Sequence, residues 1–197
     1  MDRRIPLHIA GAALTVLLAA CGTTATSATA PSGTADPHAP EANPPGDIPD
    51  NQAFVPYSPP GGGFTVSVPE GWARADGGST VSFTDNLNTI TVETLSAGSA
   101  PTVDSVTRTE VPEIQAGATG FSLGGVSTVQ RKAGQAVRVT YTADGPRGAV
   151  TSNAKPNAVE RYEFYRSGTE VAVTLAGPVG ADNVDPWRIV TDSFGWR

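Results

Sequence analysis

The stretch VERYEFYRSGTEVAVTLA, residues 159–176, decides the fold. Two runs rich in β-branched and aromatic residues flank Ser167-Gly168, a pair that suits a tight reversal. They predict a hairpin of strands Val159–Arg166 and Glu170–Ala176. A loop this short joins antiparallel neighbours, because a parallel partner needs a long crossover. Side chains alternate along a strand, so Arg161, Glu163 and Tyr165 share one face.

The same alternation recurs upstream at Phe64–Val68, Thr80–Phe83, Thr89–Leu95 and Gln135–Ala143, with a weaker run around Val126–Arg131. Pro69-Glu70-Gly71-Trp72, Gly77-Gly78 and Asp85-Asn86-Leu87-Asn88 carry turn-forming residues between them. In Gln135–Ala143, Val137, Val139 and Tyr141 face one side; Arg138, Thr140 and Thr142 face the other. Two stretches change period. Pro101–Gln115 sets Val103, Val106, Val111 and Ile114 near one helical face, with Thr102 as N-cap and Pro112 as a kink or early stop. Trp187, Val190, Thr191 and Phe194 fall on one face of a second helix, with Asp185 as N-cap and Pro186 in its first turn. About six or seven antiparallel strands with two helices make an α+β domain.

The N-terminus has a different character. Two arginines in Met1–Arg4 precede the mostly apolar Ile5–Ala20. That run is too short for a membrane span and fits a signal peptide at residues 1–20. Cys21, the only cysteine, follows Leu18-Ala19-Ala20. This tetrad resembles the lipobox of bacterial lipoproteins. The resemblance implies lipidation of the Cys21 thiol, cleavage before it, and anchoring on the extracytoplasmic face of the cell membrane. From Cys21 to Gly62 the chain is mainly Thr, Ala, Ser, Pro, Gly and Asp, a composition that cannot bury enough apolar area to order itself. It is expected to be a disordered tether over residues 21–62, with Phe54, Val55 and Tyr57 docking on the edge of a globular domain at 63–197.

Phe64-Thr-Val-Ser-Val-Pro-Glu-Gly-Trp72, then Val81-Ser-Phe83 and Ile90-Thr-Val92, resemble the opening of PsbP-like domains. Asp185-Pro-Trp-Arg-Ile-Val-Thr-Asp-Ser-Phe194 resembles their closing helix. With the lipobox and tether, the whole is similar to LpqN-type lipoproteins. The resemblance implies an α/β/α sandwich with a central antiparallel sheet, and a non-catalytic role in binding or assembling other components. Some PsbP-like proteins bind metal through histidines. Here the one histidine after the signal peptide is His38, in the tether, so that property does not carry over.

The chemistry is bounded by what the domain lacks. Without histidine or cysteine after residue 62 it has no Ser-His-Asp or Cys-His set and no common zinc arrangement. No phosphate-binding Gly-rich loop with Lys occurs, and no cofactor or metal is implied. The net charge of −6, with no basic cluster, argues against nucleic acid. Trp72 and Trp187 read as core aromatics. What remains is a polar set: Glu93, Arg138, Arg161, Glu163 and Tyr165, each on the polar face of its strand. These residues either pair across strands on a solvated face or line a groove that binds a ligand. The sequence thus reads as a membrane-anchored binding or adaptor module for an envelope protein or a small hydrophobic ligand. Its alternatives are a hydrolase using Glu163 with Glu93, and a purely structural envelope protein.

Overall fold

The computed structural model describes residues 45–145 and 156–197. The expected signal peptide, Cys21, the tether up to residue 44 and most of the polar loop expected at Asp144–Ala158 lie outside the described residues. Glu41–Arg197 forms one compact unit with its own hydrophobic core, the property of a segment that folds on its own.

The strands, in chain order, are β1 (Phe54–Tyr57), β2 (Phe64–Pro69), β3 (Ala73–Gly77), β4 (Thr80–Asp85), β5 (Asn88–Ser96), β6 (Ser122–Arg131), β7 (Gly134–Asp144), β8 (Pro156–Arg166), β9 (Thr169–Pro178) and β10 (Gly195–Trp196). Helices α1 (Val103–Arg108) and α2 (Glu110–Gly117) lie between β5 and β6, and α3 (Val184–Ser193) lies between β9 and β10. Seven strands form the main sheet, in the order β3-β4-β5-β9-β8-β7-β6, antiparallel throughout. The β8–β9 hairpin turns where the sequence places it. Ser167 and Gly168 both adopt positive φ, 50° and 85°, the backbone of a two-residue turn that matches strand twist.

Both faces of this sheet are covered. On one, Ile90, Val92, Tyr162, Phe164, Val173 and Leu175 pack beneath α3 and a small sheet. Phe194 stacks on Phe164 with ring centroids 4.1 Å apart. On the other, Val137 and Val139 of β7 meet Val106 of α1 and Val111 of α2. The layering is that of the expected sandwich, with an extra three-stranded sheet, β1-β2-β10, beside α3.

Five expectations change. Phe64–Val68 is a strand, but it belongs to the small sheet and pairs with β1 and β10, not with its successor in sequence. β3 is an exposed edge strand in a stretch read as turns; ARADG has no apolar alternation to betray it. The tether expected over residues 21–62 gives way to folded chain well before residue 62. Ile48 and Tyr57 are buried in the main core, and β1 runs antiparallel to β2. A few apolar anchors in a Pro/Gly-rich segment suffice once a sheet edge offers hydrogen bonds.

The Pro101–Gln115 helix is two short helices. Thr102 caps α1, accepting from Ser105 N while the Ser105 hydroxyl accepts from Thr102 N. The break falls at Thr109, three residues before Pro112. Pro112 has no N–H to give to the carbonyl of residue 108. It therefore sits in the first turn of α2, where that donor is not needed. The cap of α3 is also displaced, from Asp185 to Asn183.

Asn183 is buried and holds three segments together. Its Oδ1 accepts from Ile48 N at 2.8 Å, and its Nδ2 donates to Gly46 O and to Asn88 Oδ1, both at 3.0 Å. Trp187 is buried, and Trp72 is half-buried against the same core.

Candidate functional site

Strand register brings most of the expected polar set together. Glu163 and Glu93 lie opposite Ala172 from its two sides, and Arg161 lies opposite Thr174. The period of two points all of them to the face covered by α1 and α2. Arg161 is the hub. Its Nε donates to Glu163 Oε1 at 3.1 Å, Nη1 lies 3.6 Å from Glu93 Oε2, and Nη2 lies 3.4 Å from Glu110 Oε2. Glu110 comes from α2, so the hub ties that helix to the sheet. Nη1 also donates to Thr174 Oγ1 at 3.4 Å.

The electrostatics are those of excess acid in a dry place. Glu163 is fully buried, and among the described residues its Oε2 has no hydrogen-bond partner. Burial above all, then the neighbouring Glu110 carboxyl, push the Glu163 carboxyl up to about 9 against the pull of Arg161. Glu163 is therefore protonated at neutral pH. Glu170 is also raised, by burial and then by Glu110. For Arg161, burial opposes the charge, but Glu163, Glu110 and Glu93 outweigh it, and the guanidinium is held above its ordinary value. Glu110, Glu163 and Glu170 bring carboxylate oxygens within 4.8 Å of one another, close enough for a hard cation. Arg161 already supplies positive charge there.

This arrangement is cross-strand and helix–sheet ion pairing in a covered layer. Arg161 engages both carboxylates of the hydrolase reading, Glu163 and Glu93.

Two expected members stand apart from the hub. Arg138 lies opposite Tyr162, on the other face of the sheet, with Nη1 3.8 Å from Glu160 Oε1. Its strand was read correctly, but alternation alone does not say which faces of two strands coincide. Tyr165 shares the Arg161 face, yet its hydroxyl accepts from Gly168 N at 3.1 Å and pins the hairpin turn. It borders a cavity of about 630 Å³ with Glu163, Thr102 and Gln135. Glu110 and Glu170 were missed. Glu170 was within reach, since a hairpin about Ser167-Gly168 sets it opposite Tyr165. Glu110 carries no comparable sequence signal, because helix docking chooses its partner.

The larger concavity is on the opposite face, and nothing in the sequence marked it. A groove of about 990 Å³ opens between the small sheet and the β4–β5 edge of the main sheet. Tyr57, Phe64, Val81 and Val92 form its apolar floor, and Trp196 stands at its side. The Pro59–Gly63 loop borders it, with Gly62 and Gly63 at φ 71° and 91°. Arg74, Arg166 and Arg197 also line it. The Arg74 guanidinium lies 5.0 Å from the Tyr57 ring centre and pairs with Asp76 at 2.6 Å. Arg166 Nη1 donates to Arg197 O at 3.4 Å.

No family model and no curated protein sequence matches the chain. Solved structures do. Cyanobacterial PsbP (CyanoP) from Synechocystis sp. PCC 6803 matches with a TM-score of 0.53 at 16% identity, over 74% of this chain and 94% of that one. LpqN, involved in cell envelope biogenesis of Mycobacterium tuberculosis, matches with a TM-score of 0.45 at 13% identity, over 75% of this chain and 92% of that one. A longer protein from Bacteroides thetaiotaomicron VPI-5482 matches with a TM-score of 0.48 at 14% identity over 72% of this chain, which spans 48% of its length. With its seven-stranded antiparallel sheet and helical layers, this chain superposes on the cyanobacterial protein over most of that protein's length, and its fold is PsbP-like.

Proposed function

We propose that the chain is a non-catalytic binding module of the cell envelope, held on the extracytoplasmic face of the membrane by lipid on Cys21. Residues 1–20 are the removed signal peptide in this reading. The stretch from Cys21 towards residue 44 is the tether that carries the folded unit clear of the surface. Among the described residues no helix is long and apolar enough to cross a membrane. LpqN, the envelope-biogenesis protein, supplies a precedent for the setting only.

The observation that carries the binding reading is the groove. It joins an apolar floor to an arginine rim in a volume typical of small-molecule sites, about 300–1,000 Å³. A purely structural protein has no use for it. The carboxylates of the hydrolase reading lie on the other face, bound to Arg161.

Two measurements test this. The full chain expressed in a bacterial host should partition into the detergent phase and incorporate labelled fatty acid, and Cys21→Ser should do neither. Equal partitioning of the two would overturn the anchor. Native mass spectrometry of the full chain, expressed with its N-terminal segment and recovered from the envelope in detergent, should show a retained small-molecule mass that is lost in Trp196→Ala. A bare mass under gentle ionisation would count against the binding module.

A further inference from the structure

Resting on that reading of the groove, we propose that its ligand is an anionic amphiphile drawn from the membrane. Its acidic head would be held by Arg166 and its neighbours, and its chain laid against Trp196 and the apolar floor. The chain as a whole carries a net charge of −6, yet three of the four charged side chains lining the groove are arginines: Arg74, Arg166 and Arg197, against Asp76 alone. Asp76 is taken up by Arg74. Among the described residues no Asp or Glu side chain forms an ion pair with Arg166 or Arg197. Elsewhere in the fold the acids outnumber their partners, as at Arg161. Concentrating guanidinium groups at one concavity of an acidic protein, two of them without an acidic side-chain partner, creates a local field that selects negative charge. Guanidinium also meets phosphate and carboxylate with paired donors.

The floor decides the rest of the ligand. Phe64, Val81 and Val92 lie at one end of the main core, and Trp196 packs edge-on to Phe194 with ring centres 5.1 Å apart. Phe64, Val81 and Val92 are already buried, so the apolar surface left to a ligand is that of half-buried Trp196 and of Pro59 and Pro60; a bare anion would leave it wet, whereas an amphiphile covers it and gains about 25 cal/mol per Å² removed from water. The small residues of Pro59–Gly63 leave the entrance open: a Cβ added at Gly61, Gly62 or Gly63 would meet nothing within 4 Å.

The test uses the compact unit, residues 41–197, with dodecyl phosphate below its micelle concentration as probe. Binding is followed by calorimetry and by tryptophan fluorescence. One saturable site is expected. Dodecyl maltoside, with the same chain and no charge, and inorganic phosphate, with the charge and no chain, should each bind at least tenfold more weakly. Arg166→Gln should weaken dodecyl phosphate at least tenfold with an unchanged near-ultraviolet spectrum, while Arg188→Gln on the exposed side of α3 leaves it unchanged. Equal binding of the maltoside, equal binding of free phosphate, indifference to Arg166→Gln, or no binding of dodecyl phosphate would each overturn the proposal. If dodecyl phosphate fails while the envelope-derived protein keeps a bound mass, the anionic ligand falls and the binding module stands. If both fail, both fall.

Discussion

At the scale of single residues, the informative group is Glu163. A carboxyl in the unfolded chain releases its proton near the ordinary value of 4.5, whereas in the folded protein it holds it to about 9. Between those values the folded state binds more protons, so rising pH favours unfolding. Its contribution is complete below about pH 4.5 and is lost as pH rises to about 9. Urea unfolding at pH 5, 7 and 9 should therefore show stability falling with pH, by at most about 1.4 kcal/mol per pH unit from this group. Glu163→Gln should flatten that slope. An unchanged slope would mean that Glu163 is ionised in the fold. Arg161 bears on stability through its partners. A sequence reading that sets it on a ligand-binding face expects Arg161→Ala to spare the fold. In the structure its removal leaves Glu93 and Glu110 without their cation and Glu163 without its hydrogen-bond donor. A loss of about 3–5 kcal/mol is expected, the scale for breaking a buried ion pair. Chemical denaturation of the variant measures it, and a loss under 1 kcal/mol would return Arg161 to the surface-pair class.

At the scale of elements, hydrogen bonds from Asn183 decide how the segment before β1 docks. Asn183→Ala strands the Ile48 amide and the Asn88 carbonyl group, and should cost about 1–3 kcal/mol. Hydrogen exchange at Ile48 should rise with it. Gly177→Ala should produce the same phenotype by another route, since its Cβ would fall 2.4 Å from Asn88 Oδ1 and 2.8 Å from Asn183 Nδ2. Unaltered exchange at Ile48 in both variants would show that β1 docks without this hub. These elements also show where sequence reading reaches its limit. The β8–β9 hairpin was legible because period, turn residues and register are all local. Thr102 was legible as a cap for the same reason. The hub role of Asn183 was not, since its partners at Gly46, Ile48 and Asn88 are set by how three distant segments meet. The two-sheet division was hidden likewise, because alternation in Phe64–Val68 says that a strand forms and not with which neighbour.

At the scale of the whole molecule, the boundary of the folded unit is the consequential correction. Composition puts it at residue 63, whereas packing puts Ile48, Phe54 and Tyr57 inside. A fragment of residues 63–197 is expected to melt at a clearly lower temperature than residues 41–197, having lost two buried side chains and one partner strand of β2. Coincident melting curves would restore the composition-based boundary. The groove follows the same logic. Its floor draws on β1, β2, β4 and β5, and its side on β10, so no local stretch could announce it.

The position of β2 between β1 and β10 bears on when the molecule becomes competent. β10 lies near the far end of the sequence, and its pairing with β2 spans most of the folded chain. Contacts of such long range form late, because the intervening loop must close first. The β4–β5 and β8–β9 hairpins, whose partners are close in sequence, can assemble early. The wall at Trp196 cannot be completed until Gly195 and Trp196 have arrived. The Trp196 side of the groove is thereby completed only after the local hairpins have formed.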